Sequence, residues 1–166
     1  MGLLALTAEA LREPWRLWTC HLIHFGWEHA LVNFIALTVP AILTHPKDRR
    51  QLLAITLVAA PLLSLLLLPD LAQGQYRGAS GLVCVLWAWA GLSLVSRRKS
   101  FTMGLVMLGG LACKLAVEGA LGCGFLPSHP NWQTLPEAHF WGALLGIAAA
   151  LPNLLGLRAA TPPRRA

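Results

Sequence analysis

Five long apolar runs alternate with short polar stretches along the chain: residues 28–44, 51–68, 78–96, 101–122 and 136–157. A helix rises about 1.5 Å per residue, so each run can cross most or all of a hydrocarbon layer about 30 Å thick. The pattern predicts an all-α polytopic membrane protein with five transmembrane helices. The breaks are the basic loop His45-Pro46-Lys47-Asp48-Arg49-Arg50, the polar loop 70–77, the triplet Arg97-Arg98-Lys99, and a loop over 122–135 carrying Pro127, His129, Pro130 and Asn131. The second run contains Pro61, carries no obvious chemistry and reads as scaffold. Ahead of the first run, residues 1–6 are apolar but too short to span and lack the pattern of a signal peptide. Residues 9–14 read as a surface helix or loop. The segment 15–29 mixes tryptophans, Arg16, Glu28 and His21, His24 and His29, the composition of a membrane interface. The expected organisation is one domain over 1–166: an interfacial segment 1–27, a helical bundle 28–157 and a basic disordered tail 158–166.

Composition agrees with that division. The chain is 56% hydrophobic and only 12% charged over 166 residues, with mean hydropathy +0.60, too apolar for a soluble domain of this size. A net charge of +6 would raise nucleic-acid binding in a soluble protein. Here topology accounts for the cations, and no nucleic-acid partner is expected. If five helices alternate, Lys47, Arg49, Arg50, Arg97, Arg98, Lys99, Arg158, Arg164 and Arg165 share one side, against Arg12, Arg16 and Arg77 on the other. Nine against three is a positive-inside signal, and it puts the start of the 78–96 run at the outer face. No zinc-ligand spacing, Gly-rich phosphate loop or internal repeat is present, so no metal and no cofactor is expected. Cys20 and Cys123 fall near the outer face, where a disulfide is chemically allowed. Cys84 and Cys113 lie within helices and read as packing residues.

Four polar features gather at the outer leaflet. In Tyr76-Arg77-Gly78-Ala79-Ser80-Gly81, Ser80 falls in the first turn of an apolar helix, beside glycines that permit close approach. His29 and Asn33, four apart, share a helix face. His139 adjoins a small-residue stripe, Ala138, Gly142 and Gly146, that lets two helix backbones approach. Lys114 and Glu118 can pair on one face, and Glu118, about one turn from its helix end, can help shape an entrance. Each has a plain structural alternative: a helix cap with a packing glycine, interhelical glue, an ion pair. His21, His24 and His129 read as locally hydrogen-bonded or loop residues, not ligands. Together a serine and a histidine can make an activated nucleophile. A carboxylate third member is dispensable if packing holds the imidazole. Asn33, His29 and the Ser80 N–H can supply oxyanion donors.

These residues resemble the rhomboid intramembrane serine proteases. The resemblance covers about residues 14–157. It rests on Trp15-Arg16 with Thr19 and His24, His29-x-x-x-Asn33, Gly78-x-Ser80-Gly81, and Ala138-His139-x-x-Gly142-x-x-x-Gly146, in the family's order. It implies a rhomboid-like helical bundle in which Ser80 is the nucleophile, His139 the general base and acid, and His29 and Asn33 the oxyanion site. Trp15-Arg16 would belong to a loop lying partly in the outer leaflet. The implied partners are transmembrane protein substrates and the lipid bilayer. The implied place is the bacterial inner membrane, multi-pass, with the site open to the periplasmic side. The short chain, Lys114-x-x-x-Glu118, Tyr76-x-Gly-x-Ser-Gly and the absence of a seventh helix are similar to the rhombosortase branch. That branch is associated with bacterial surface proteins bearing a C-terminal Gly-Gly signal. The family core has six helices, and the usual first one is missing here, so the natural start is expected upstream of Met1, the alternative being a natural truncation. The alternatives are a catalytically inactive rhomboid-like client-binding protein, which usually lacks the Ser or the His, and an unrelated small membrane scaffold.

Overall fold

The computed structural model describes residues 2–71, 74–123 and 135–155. The proline-containing loop with His129, and the tail 158–166, lie outside the described residues. Among the described residues the architecture is all-helical, with one isolated backbone bridge between Leu6 and Tyr76. A short helix, α1 (Arg16–Thr19), is followed by five longer ones: α2 (Trp27–Leu43), α3 (Arg49–Leu67), α4 (Ser80–Val95), α5 (Phe101–Leu121) and α6 (Pro136–Leu154). Each expected apolar run coincides with one of the five to within two residues at its start, and α2 and α3 begin one and two residues earlier than expected. Two stretches, Pro46–Leu71 and Arg98–Leu121, are long and apolar enough to cross a membrane by that test alone, and Trp27–Leu43 and Ser80–Val95 are shorter apolar helices.

The bundle is built around α4, which packs against α2, α3, α5 and α6. Its buried residues surround it: Gly81, Leu82, Cys84, Val85, Leu86, Ala88, Trp89, Ala90, Gly91 and Leu94. A helix apolar all round belongs inside a bundle. The other long helices bury a narrower set and turn Phe34, Ile42, Val58, Val106 and Leu151 outward, as expected of faces that meet lipid.

Lipid tails are as apolar as leucine, so close packing rather than water exclusion must hold such helices together. The small-residue stripe of α6 does this against α4. A Cβ on Gly142 would lie 2.2 Å from the Gly81 carbonyl oxygen, and one on Gly146 would lie 2.2 Å from that of Val85. At the opposite end of α4, a Cβ on Gly104 would lie 2.6 Å from the Val95 nitrogen. There Arg97 and Asp48 form an ion pair that ties the α2–α3 turn to the end of α4.

Three prolines lie inside the described helices, Pro40, Pro61 and Pro152; each frees the carbonyl four residues earlier, and for the first two a tryptophan takes it up. Pro40 in α2 frees Ala36, whose oxygen accepts the Trp87 indole N–H of α4 at 2.8 Å. Pro61 in α3 frees Leu57, whose oxygen accepts the Trp18 N–H at 3.0 Å.

The segment before α2 is more ordered than an aromatic belt requires. Ala5, Leu6 and Ala10 are fully buried. Arg16 holds the entry segment 2–6, its guanidinium donating to the carbonyls of Gly2 at 2.9 Å and Ala5 at 2.8 Å while pairing with Glu13. Residues 9–14, expected at the surface, include a 3-10 turn over Ala8–Leu11. All four cysteines are free: Cys20 and Cys84 are buried, Cys113 and Cys123 exposed. No Cys20–Cys123 disulfide forms, and Cys113 faces out of the bundle instead of packing within it.

Candidate active site

Ser80 is the first residue of α4 and is half-buried. The chain enters it through Gly78, at φ +124°. A Cβ there would lie 2.9 Å from His29 Cε1 and 3.8 Å from His24 Cδ2, so backbone and space both call for glycine. Ala79 makes no side-chain cap, so no capping side chain competes for the first N–H groups of α4.

The segment 74–79 leading into α4 is fixed from behind by the segment around α1. Gly78 N–H donates to the Cys20 carbonyl at 2.9 Å. His21, buried, places Nε2 at 3.0 Å from the Ala60 carbonyl and 3.1 Å from Ser64 Oγ, and Nδ1 at 3.4 Å from the Gly78 carbonyl. Ser64, fully buried, donates to the Leu17 carbonyl at 2.8 Å. Burial lowers the His21 pKa from its ordinary value, and burial does the same for His24. His24 Nε2 then accepts the Ala79 N–H at 3.4 Å, as a neutral ring can. Cys20, beside Ser64, has its thiol pushed up to about 11 by burial. Tyr76 is buried against His21, ring centroids 5.8 Å apart. Its hydroxyl faces the Ser80 side chain and the Gly81 backbone, and burial holds the phenol above its usual range.

His139 is in the first turn of α6, 3% exposed. Its Nδ1 lies 2.7 Å from Glu118 Oε2 and 2.9 Å from Lys114 Nζ, both on α5. Lys114 Nζ lies 2.5 Å from Glu118 Oε1, closing a triangle. Glu118 is 2% exposed. It also borders a cavity of about 350 Å³ between α5 and α6, lined further by Leu115, Gly119, Pro136, Glu137, Phe140 and Trp141. The level of His139 relative to Ser80 is set by backbone contact. Gly142 sits against the Gly81 carbonyl, and a Cβ on Gly81 would lie 3.0 Å from the Ala138 carbonyl. The residue after Ser80 thus touches the residues flanking His139.

The other two candidates differ. His29, in the first turn of α2, faces Gly78, stacks edge-on with His24 at 5.2 Å, and is within electrostatic range of His139. Asn33 is buried, and its Nδ2 donates to the His29 carbonyl at 3.0 Å, within its own helix. The structure therefore brings Ser80, His29 and His139 to one end of the bundle, and commits an Asn33 amide hydrogen to α2.

The Rhomboid domain family model matches residues 11–155, from ahead of α1 to the end of α6. The chain belongs to the rhomboid family. It is accordingly an integral membrane protein, of a family whose members are typically serine proteases that act on membrane proteins within the bilayer. No curated protein matches the chain. In this rhomboid, the Glu118–His139 contact escaped the sequence reading. The Lys114–Glu118 pair was legible from its four-residue spacing, but the histidine it meets lies on another helix, 21 residues from Glu118.

Proposed function

We propose that this rhomboid is an active serine endopeptidase that uses Ser80 and His139 to cut a peptide bond in or near a substrate's transmembrane segment. The observation that carries the reading is the glycine contact of α4 with α6, which sets the nucleophile's helix start beside a histidine held through Nδ1. In the reaction His139 Nε2 takes the Ser80 hydroxyl proton as Oγ bonds to the scissile carbonyl carbon. The resulting oxyanion is met by the Ser80 N–H and by His29. The C–N bond then breaks, and the leaving nitrogen takes the proton from Nε2. Water, deprotonated by the same nitrogen, releases the acyl group and restores Ser80. Asn33 has one amide hydrogen committed to the His29 carbonyl, so it offers the oxyanion site only its second one.

Five helices cross the bacterial inner membrane in this reading, with the Ser80 end facing the periplasm, supported by the charge bias of the loops. One rhomboid-like domain fills the chain. The substrate class is membrane-anchored surface proteins with a C-terminal Gly-Gly signal, an apolar helix and basic residues, as for the rhombosortase branch. Glycines at the cut site unwind easily, because glycine is a poor helix former.

The test is cleavage of such a tagged substrate in bacterial membranes, with Ser80→Ala as control. A product that disappears with Ser80→Ala supports the protease. If no product forms, and a fluorophosphonate probe leaves Ser80 unlabelled in protein shown to be folded, the inactive client-binding reading replaces it.

A further inference from the structure

Glu118 and Lys114 make competing demands on one nitrogen. Glu118 Oε2 lies 2.7 Å from His139 Nδ1, and Lys114 Nζ lies 2.9 Å from the same atom. An ammonium has only donors, so a bond from Lys114 needs a bare Nδ1 and leaves the ring proton on Nε2. That tautomer cannot accept a proton from a serine. An ionised carboxylate is acceptor-only, so a bond to Glu118 needs the proton on Nδ1 and, in the neutral ring, leaves Nε2 bare. Lys114 is 2.5 Å from the other carboxylate oxygen, Oε1. A cation there favours the ionised form of Glu118. The ammonium is thereby satisfied by the carboxylate, and Nδ1–H is free to donate to Oε2.

We infer that Glu118 is a positioning residue for His139, fixing the tautomer that leaves Nε2 basic, and that Lys114 acts by keeping Glu118 charged. The inference rests on the protease reading above, and extends a serine–histidine pair to a serine–histidine–glutamate array. Burial supports it: Glu118 and His139 are 2% and 3% exposed, so water does not compete for Nδ1. The helix geometry supports it too, since Glu118 reaches His139 from α5 while Ser80 approaches from α4. During the reaction the carboxylate stabilises the imidazolium without itself taking the proton.

The test uses the full chain in lipid vesicles, with histidine labelled with 15N and the His139 signals assigned by comparison with His139→Gln. Nitrogen shifts report the tautomer whether or not the protein is active. Glu118→Gln keeps the shape and removes the charge. The inference expects Nδ1–H in the natural chain and Nε2–H in Glu118→Gln. It also expects a fall in kcat on the order of 10²–10⁴-fold with KM changed less than about threefold. Glu118→Asp, which keeps a carboxylate, should recover part of kcat. Should Glu118→Gln unfold, Lys114→Met provides the second reading, with kcat lowered and Nε2–H more populated. An unchanged tautomer, or kcat within about threefold of the natural chain, overturns the inference and leaves the protease standing. If the tautomer switches but the natural chain shows no Ser80-dependent cleavage, the protease reading fails and the role of Glu118 in it falls as well.

Discussion

The Trp87 indole donates to the Ala36 carbonyl at 2.8 Å, and Ala36 is the residue whose helical partner Pro40 removes. A carbonyl without a partner in hydrocarbon costs several kcal/mol, so the proline and the tryptophan belong together. Trp87→Phe should lower stability by about 1–2 kcal/mol in detergent or bicelles. Pro40→Ala restores a backbone N–H. The double variant should therefore lose less than the two single losses added, and a thermodynamic cycle measured by reversible unfolding checks this. Strict additivity would show that the two are unrelated.

Gly142 and Gly109 offer a matched pair. A Cβ on Gly142 meets the Gly81 backbone at 2.2 Å, which no side-chain motion relieves, whereas one on Gly109 meets nothing within 4 Å. Gly142→Ala should cost at least about 1–3 kcal/mol and separate α6 from the start of α4, with loss of fluorophosphonate labelling at Ser80. Gly109→Ala should be neutral or raise stability by up to about 1 kcal/mol, through helix propensity. Thermal unfolding together with probe labelling distinguishes them.

Arg16 ties the entry segment 2–6 to α1 through the Gly2 and Ala5 carbonyls. Arg16→Ala strips donors from both and should cost about 1–3 kcal/mol. Amide exchange should rise first at Leu6, whose N–H donates to the Tyr76 carbonyl. Arg16→Lys should recover little, because one ammonium cannot reach both Glu13, as Nε does, and the two carbonyls, as Nη1 does. Exchange mass spectrometry over residues 2–11 and 74–80 reads both effects.

Acid should loosen the loop behind Ser80. Burial lowers the His21 pKa below the ordinary 6.5, and burial also lowers that of His24. Between the folded value and about 6.5 the unfolded chain binds more protons than the folded one, so stability rises with pH there. The contribution is complete above about pH 6.5 and is lost as pH falls through the folded values. The Tm should therefore drop from pH 7 to pH 5. In His21→Gln, which cannot titrate, the drop should be shallower, and an equal slope would remove His21 as its source.

The helices were legible because apolar length and charged breaks report directly on the bilayer. Each expected run overlaps an observed helix, and α4, apolar on every side, carries its central place in its composition. The Ser80 and His139 motifs were legible for a similar reason: small residues around a polar one form a short-range pattern that the chain displays by itself. The burial of residues 5–6 was not, because six apolar residues acquire a purpose only when the Tyr76 backbone and the Arg16 guanidinium are brought beside them. Nor was the commitment of the Asn33 amide to its own helix, since a residue four positions along can turn toward either the backbone or a neighbour. The partner of His139 is the clearest case. Spacing along one helix pairs Lys114 with Glu118, but which histidine completes the triangle depends on how α5 and α6 lie against α4. Sequence periodicity fixes faces within a helix. Only packing decides which faces meet, because close approach depends on glycine contacts between residues as distant in the chain as Gly81 and Gly142.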